Sequence, residues 1–119
     1  MKKLLFCLLL SFTVQWVSAQ CETVNTAFQA GETLEYKLYF NWKFIWIPAG
    51  TAHLSTHNIQ WEGKDALKCY LITHTSKTLD KFFRMRDTLM CVMTPNVVPL
   101  YYQKSAFEGK RYYVDKVWY

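Results

Sequence analysis

The sequence predicts an all-β fold, an antiparallel curved sheet or partial β-barrel with one short helical segment near residues 78–85. Six short segments alternate apolar and polar residues, which is the period of a half-buried strand. Turn-forming residues separate these segments about every ten residues. Of the 119 residues, 51% are hydrophobic and 18% aromatic, and only 19% are charged. That composition excludes a disordered chain, and the length fits one domain.

The first 19 residues are predicted to be a cleaved signal peptide. Two lysines at residues 2–3 precede the apolar run 4–14, and small residues follow up to Ala19. This is the order of a secretory signal, so we expect cleavage after Ala19 and a periplasmic or secreted protein with no transmembrane segment in its mature form. The alternative is an uncleaved anchor. A lipid anchor on Cys21 is disfavoured because the bulky Gln20 precedes it.

Charge argues against a nucleic-acid partner. The full chain has 14 basic and 9 acidic residues, a net charge of +5. Loss of the two signal-peptide lysines leaves a net charge of +3, and this small excess is scattered along the chain. A nucleic-acid-binding domain instead concentrates its basic residues on one face.

The predicted domain spans residues 33–119, after an N-terminal leader at residues 20–32. Its first strand covers residues 33–43, where the apolar positions alternate with charged and polar ones. We expect this strand to bend or end at Pro48, because proline cannot donate a hydrogen bond to a β-ladder. Residues 51–59 and 66–75 are predicted to form a hairpin around the turn residues 62–65.

The second half of the domain begins with a break in the alternation. Leu79, Phe82 and Phe83 have helical spacing, which predicts one helical turn. Further strands are expected at residues 87–93, 97–107 and 111–119. The sequence stops within the last alternating aromatic run, and we therefore expect the domain to be truncated at its C-terminal end.

Two cysteines lie symmetrically about residue 80. If the segments around Cys69 and Cys91 pair as antiparallel strands, the two thiols face each other. Two interpretations stay open, a Cys69–Cys91 disulfide in an oxidising compartment or two small buried apolar residues.

Catalytic and metal-binding patterns are weak, and we predict neither an enzyme nor a cofactor. His53 and His57 share a strand face about 13 Å apart, which is too far for one metal ion. Asp80 and Asp87 are the carboxylates available for acid–base chemistry. We instead expect Asp80 to cap the helical turn and Asp87 to pair with Arg84 or Arg86.

Several blocks resemble the DUF3108 family of exported bacterial proteins of unknown function. They are the tryptophan-rich block 41–50, which ends in Pro48-Ala49-Gly50, the block 80–87 and the pair Pro99-Leu100. The resemblance implies a β-rich, barrel-like or curved-sheet fold and supplies no catalytic residues. Because family members are usually longer, it also implies that a C-terminal part is missing.

The aromatic residues of the first strand and of the segment after it are the candidate ligand site. Such side chains can line an apolar pocket or enter a membrane interface, and they can equally plug the core. We expect a non-catalytic envelope module that binds an apolar or lipid-like ligand. The alternative is a structural or protein-interaction component of the envelope. The candidate ligand-binding residues are Tyr36, Leu38, Phe40, Trp42, Phe44 and Trp46.

Overall fold

A computed structural model describes residues 24–119, which form one six-stranded antiparallel sheet. Each strand pairs with its neighbours in sequence, so β1 and β6 form the two edges and the sheet is not closed into a barrel. The predicted all-β antiparallel fold is confirmed in this open form. The signal peptide, its cleavage site and Cys21 lie outside the described residues. The strands are β1 (Thr33–Trp42), β2 (Ile45–Trp61), β3 (Lys64–Thr75), β4 (Met85–Met93), β5 (Pro99–Glu108) and β6 (Arg111–Trp118).

The helical segment expected near residues 78–85 is a single 3-10 turn at Leu79–Lys81. The backbone N–H groups of Phe82 and Phe83 both donate to the Leu79 carbonyl, at 2.9 and 2.8 Å. No helix within residues 24–119 has the length and apolar character that crossing a bilayer requires.

Strand β2 passes through Pro48, whereas the sequence predicted that the next strand would start at residue 51. The register pairs Leu38 with Gly50 and Tyr39 with Pro48, so Ala49 is an extra residue that bulges from β2. A bulge is one of the positions in a sheet that accept proline, because its backbone N–H is not needed for the ladder. The bend expected at Pro48 is therefore a bulge within one long strand.

The small core lies on one face of the sheet, at the end that carries the β2–β3 turn. Tyr101 is buried there, and its ring packs between Trp61, at 5.6 Å between ring centroids, and Trp118, at 5.1 Å. Such contacts between large aromatic side chains contribute to stability beyond the area that they bury. The core consists of Ala66, Val92 and Tyr101, with Ile59, Trp61, Met90 and Leu100 packed against it.

The rest of the sheet is a single layer. All ten residues of β1 are exposed, including its aromatic ones. A domain normally packs two layers of secondary structure around its core. With one layer, apolar side chains of β1 and of its turn stay in contact with solvent.

Candidate ligand-binding surface

An exposed row of apolar side chains runs along one face of the β1–β2 hairpin. The β1 members are every second residue, and they are 39–60% exposed. The register adds residues of β2, because Ile47 pairs with Phe40 and Ile45 pairs with Trp42. Residues that are directly opposite in an antiparallel pair project from the same face. We call this row the apolar strip; it consists of Leu34, Tyr36, Leu38, Phe40, Trp42, Ile45 and Ile47.

The structure brings four of the six predicted ligand residues together on this strip. Tyr36, Leu38, Phe40 and Trp42 belong to it, whereas Phe44 lies in the β1–β2 turn and is 96% exposed. Trp46 pairs with Asn41 and therefore projects from the opposite face.

Two shallow depressions, both open to solvent, flank the strip. One of about 350 Å³ is lined by Tyr36, Ala52 and His53, among others. The second, of about 220 Å³, lies beside Leu38, Pro48 and Gly50. The predicted aromatic side chains are thus neither plugged into a core nor enclosed around a cavity.

A lysine stands at the turn end of the strip. Lys43 occupies the first position of the two-residue β1–β2 turn, with a φ of 57°. Positive φ values are typical of tight hairpin turns, whose twist matches that of the strands. Its Nζ atom lies 5.8 Å from the centre of the Trp42 ring. An apolar surface therefore ends at a positive charge.

The block Pro48-Ala49-Gly50 ties this hairpin to the rest of the sheet, a role that sequence reasoning missed. The Ser76 hydroxyl donates to the Pro48 carbonyl at 2.7 Å, and the Ser76 N–H donates to the Ala49 carbonyl at 2.8 Å. A Cβ atom at Gly50 would lie 2.0 Å from the His74 carbonyl oxygen. Glycine is thus required for β2 and β3 to approach this closely.

The histidines have separate partners, as their spacing on a strand suggests. His53 Nδ1 lies 3.5 Å from Glu35 Oε1, and His57 Nε2 lies 3.2 Å from the Ser55 hydroxyl. Within residues 24–119, no group of three or more histidines, cysteines or carboxylates is arranged to hold a metal ion.

The prediction that Asp80 caps the helical turn is wrong, because Asp80 instead forms an ion pair with Arg86. The two side chains approach to 2.6 Å, and the N-cap residue is Thr78, which makes no side-chain capping bond. Hydrogen bonds from Arg86 and Thr75 lower the pKa of Asp80 from its ordinary 3.8 to about 2. The pair fastens the β3–β4 connection to the start of β4.

The prediction that Asp87 pairs with Arg84 or Arg86 is wrong. Successive strand residues project from opposite faces, so Asp87 cannot share the side of Arg86. Asp87 is buried and its Oδ2 lies 3.9 Å from Lys104 Nζ. Burial raises the pKa of Asp87, and the neighbouring Glu108 carboxylate raises it further.

Lys104 is the centre of a polar cluster that links β4, β5 and β6. Its Nζ donates to Glu108 at 3.0 Å and to the Tyr113 hydroxyl at 2.8 Å. The hydrogen bond from Lys104 lowers the pKa of Glu108. The hydrogen bonds to Tyr113 and Glu108 raise the pKa of Lys104. This arrangement holds three strands together across their polar side chains.

Cys69 and Cys91 are directly opposite each other in the β3–β4 pair. Both are thiols in this structure, and Cys69 Sγ lies 3.5 Å from the Thr56 hydroxyl. Burial raises the pKa of the Cys91 thiol, and the nearby Cys69 raises it further. The register that a disulfide requires is therefore present, and the bond itself stays a prediction.

A family model agrees with the sequence blocks and with this fold. The model described as a protein of unknown function, DUF3108, matches residues 35–119. Searches among curated proteins and among solved structures gave no match. The family match includes β1 from Glu35 onward and every later strand, which is more than half of the chain. The chain therefore belongs to the DUF3108 family.

Proposed function

We propose that this protein is an exported, non-catalytic module that binds an apolar or lipid-like ligand in the cell envelope. The observation that carries the proposal is the apolar strip, in which neighbouring aromatic and aliphatic side chains of β1 and β2 lie exposed on one face. A contiguous exposed apolar surface is costly in water and commonly marks a binding site.

The shape and charge of the strip favour an elongated amphipathic ligand. The distance from Leu34 to Trp42 is roughly 26 Å, at about 3.3 Å per residue. An extended apolar chain of similar length fits along this row. Lys43, close to the Trp42 ring, supplies a positive charge where an anionic or zwitterionic head would lie.

The other two parts of the proposal rest on different observations. Export rests on the basic start, apolar run and small-residue site of residues 1–19. The non-catalytic role is supported by the partners of the acidic side chains, because Asp80 is paired with Arg86 and Glu108 with Lys104. These carboxylates support the structure of the sheet.

The test compares two tyrosines of β1 that lie on opposite faces. Tyr36 belongs to the strip and is 49% exposed, whereas Tyr39 faces the other way and is 52% exposed. The probe is dihexanoylphosphatidylcholine below its critical micelle concentration, titrated into the protein purified after export. We expect Tyr36→Ser to weaken binding at least about tenfold, since an aromatic contact is lost, and Tyr39→Ser to leave it unchanged. Equal binding by both variants would contradict the proposal.

The alternative function is a protein-interaction component, and the open sheet edges favour it. The outer side of β6 has no partner strand among residues 24–119, and Tyr112, Val114 and Trp118 are exposed on that strand. Such an edge can accept a strand from a partner protein. For a partner bound in this way, we expect Val114→Lys to abolish partner binding and Tyr36→Ser to leave it unchanged. The opposite pattern is expected for ligand binding on the strip, so the two variants distinguish the two functions.

A further inference from the structure

Three connections meet at one end of the sheet. In an antiparallel meander, alternate connections lie at the same end, and here these are the β1–β2 turn, the β3–β4 connection and the β5–β6 turn. Backbone hydrogen bonds join the β3–β4 connection to the β5–β6 turn and to Ala49 of β2, which lies five residues after Phe44 of the β1–β2 turn. Ser76 N–H donates to the Ala49 carbonyl at 2.8 Å, and Gly109 N–H donates to the Arg84 carbonyl at 2.7 Å. We call this the turn end of the sheet.

Large aromatic side chains project from the turn end. Phe44 is 96% exposed at the tip of the first turn, and Phe82 is 83% exposed in the β3–β4 connection. Trp42 and Trp46 are also exposed next to Phe44 in the β1–β2 hairpin, and Phe83 is exposed next to Phe82. Aromatic residues are enriched where a protein meets the interface of a bilayer, because their rings are stable between water and the acyl chains.

The charged side chains of the turn end are strongly unbalanced. Its two acidic residues are already paired within the sheet, Asp80 with Arg86 and Glu108 with Lys104. None of its exposed cationic residues forms a salt bridge with residues 24–119. These exposed cations are Lys43, Lys77, Lys81, Arg84, Lys110 and Arg111.

The opposite end of the sheet has a different character. Its β2–β3 turn carries Glu62, Lys64 and Asp65, so positive charge does not accumulate there. Its exposed apolar residues include Val97 and Val98 of the β4–β5 connection and the aromatic residues Trp118 and Tyr119 at the end of β6. Both ends therefore expose aromatic rings, and the excess of unpaired cations beside them is the property of the turn end.

We infer that the turn end docks on a lipid bilayer with anionic headgroups. Phe44 and Phe82 enter the interface, and the surrounding cations lie against the phosphates. The charge complementarity selects an anionic partner, and the exposed phenylalanines favour a bilayer, whose interface accepts aromatic rings beside anionic phosphates. This surface goes beyond the ligand site, with which it shares Trp42 and Lys43, because it includes the β3–β4 connection and the β5–β6 turn and does not involve Tyr36.

The test is co-sedimentation of the protein, purified after export, with vesicles of phosphatidylcholine with and without phosphatidylglycerol. Because each cation near an anionic surface contributes about 1 kcal/mol, we expect Lys81→Glu and Lys110→Glu each to weaken binding to the anionic vesicles at least about fivefold. The double variant Phe44→Ser, Phe82→Ser should weaken it at least about tenfold. Both phenylalanines are exposed, so these variants are expected to fold.

Matched controls lie at the other end of the sheet. Lys64→Glu and Val98→Ser change the same kinds of side chain away from the turn end, and we expect wild-type vesicle binding from both. Equal binding to vesicles with and without phosphatidylglycerol would overturn the inference, as would an unchanged affinity in the double phenylalanine variant. Wild-type vesicle binding by Tyr36→Ser would show that vesicle docking does not require the Tyr36 part of the apolar strip.

Discussion

Gly50 controls how closely β2 and β3 approach beside the bulge of β2. The Cβ atom of any other residue would collide with the His74 carbonyl oxygen, which is part of the backbone and cannot rotate away. The apolar strip lies on the β1–β2 hairpin, whose β2 strand packs against β3 at this contact. Gly50 therefore affects the position of the strip through the backbone and not through a side chain.

We predict that Gly50→Ala lowers the free energy of unfolding by about 1–3 kcal/mol, the usual cost of overpacking. Urea denaturation of both proteins measures the difference. Thr51→Ala is the control, because Thr51 is exposed next to Gly50 and surface changes usually stay within about 0.5 kcal/mol. Equal stability of Gly50→Ala and wild type would show that the two strands do not approach as described.

The ion pair of Asp80 and Arg86 makes stability depend on pH. The pKa of Asp80 in the folded protein is about 2, below its ordinary 3.8. A carboxyl group with a lowered pKa stabilises the fold above its ordinary pKa, and this contribution is lost as the pH falls toward 2.

We predict that the Asp80 carboxyl titrates near pH 2 in the wild type and closer to its ordinary value in Arg86→Met, because the main hydrogen-bond donor is then removed while Thr75 still donates. The carboxyl carbon chemical shift, followed by NMR from pH 5 to about pH 1.5, gives both midpoints. A wild-type midpoint near 4 would contradict the ion pair.

Among the strands, alternation predicted most boundaries because the two-residue period is a local property. The β2–β3 hairpin and the three later strands lie close to where the sequence placed them. The bulge at Ala49 escaped prediction, since the Ser76 N–H that donates to the Ala49 carbonyl is distant in sequence. Before the bulge Ile45 and Ile47 share the face of Phe40, and after it Ala52 pairs with Tyr36.

The length of the β1–β2 turn explains why Trp46, a predicted ligand residue, projects from the face opposite the apolar strip. A two-residue turn pairs Trp42 with Ile45 and Asn41 with Trp46. Trp46 therefore projects away from Trp42, although both are aromatic and close in sequence. The sequence identified the aromatic block but not the turn length, on which the face of each residue depends.

Cys69 and Cys91 offer a test of the β3–β4 register. We predict a disulfide between them in the protein purified after export, with about 3 kcal/mol of stabilisation for a loop of this size. A Cys21→Ala background removes the other mature thiol. After denaturation without reductant, alkylation should add no label, and after reduction it should add one label at each cysteine. Full labelling without reductant would contradict the bond.

For the whole molecule, the sequence indicated the fold class but not the closure of the sheet. Curved sheet and partial barrel were both expected, because closure depends on the first and last strands meeting. Here β1 and β6 stay apart as the two edges. The enclosed cavity that a barrel would provide is therefore replaced by an open apolar surface, and the proposed ligand lies on the sheet.

The most direct test of this account uses the tryptophans at the end of the strip. Trp42 belongs to the apolar strip and Trp46 projects from the opposite face, while Trp61 and Trp118, which pack against Tyr101, are left unchanged in both variants. The measurement is the tryptophan emission of Trp42→Phe and Trp46→Phe during titration with dihexanoylphosphatidylcholine below its critical micelle concentration. We predict that the ligand-induced blue shift is lost in Trp42→Phe and retained in Trp46→Phe. A shift that survives in Trp42→Phe and disappears in Trp46→Phe, or that is equal in both, would contradict binding on the strip.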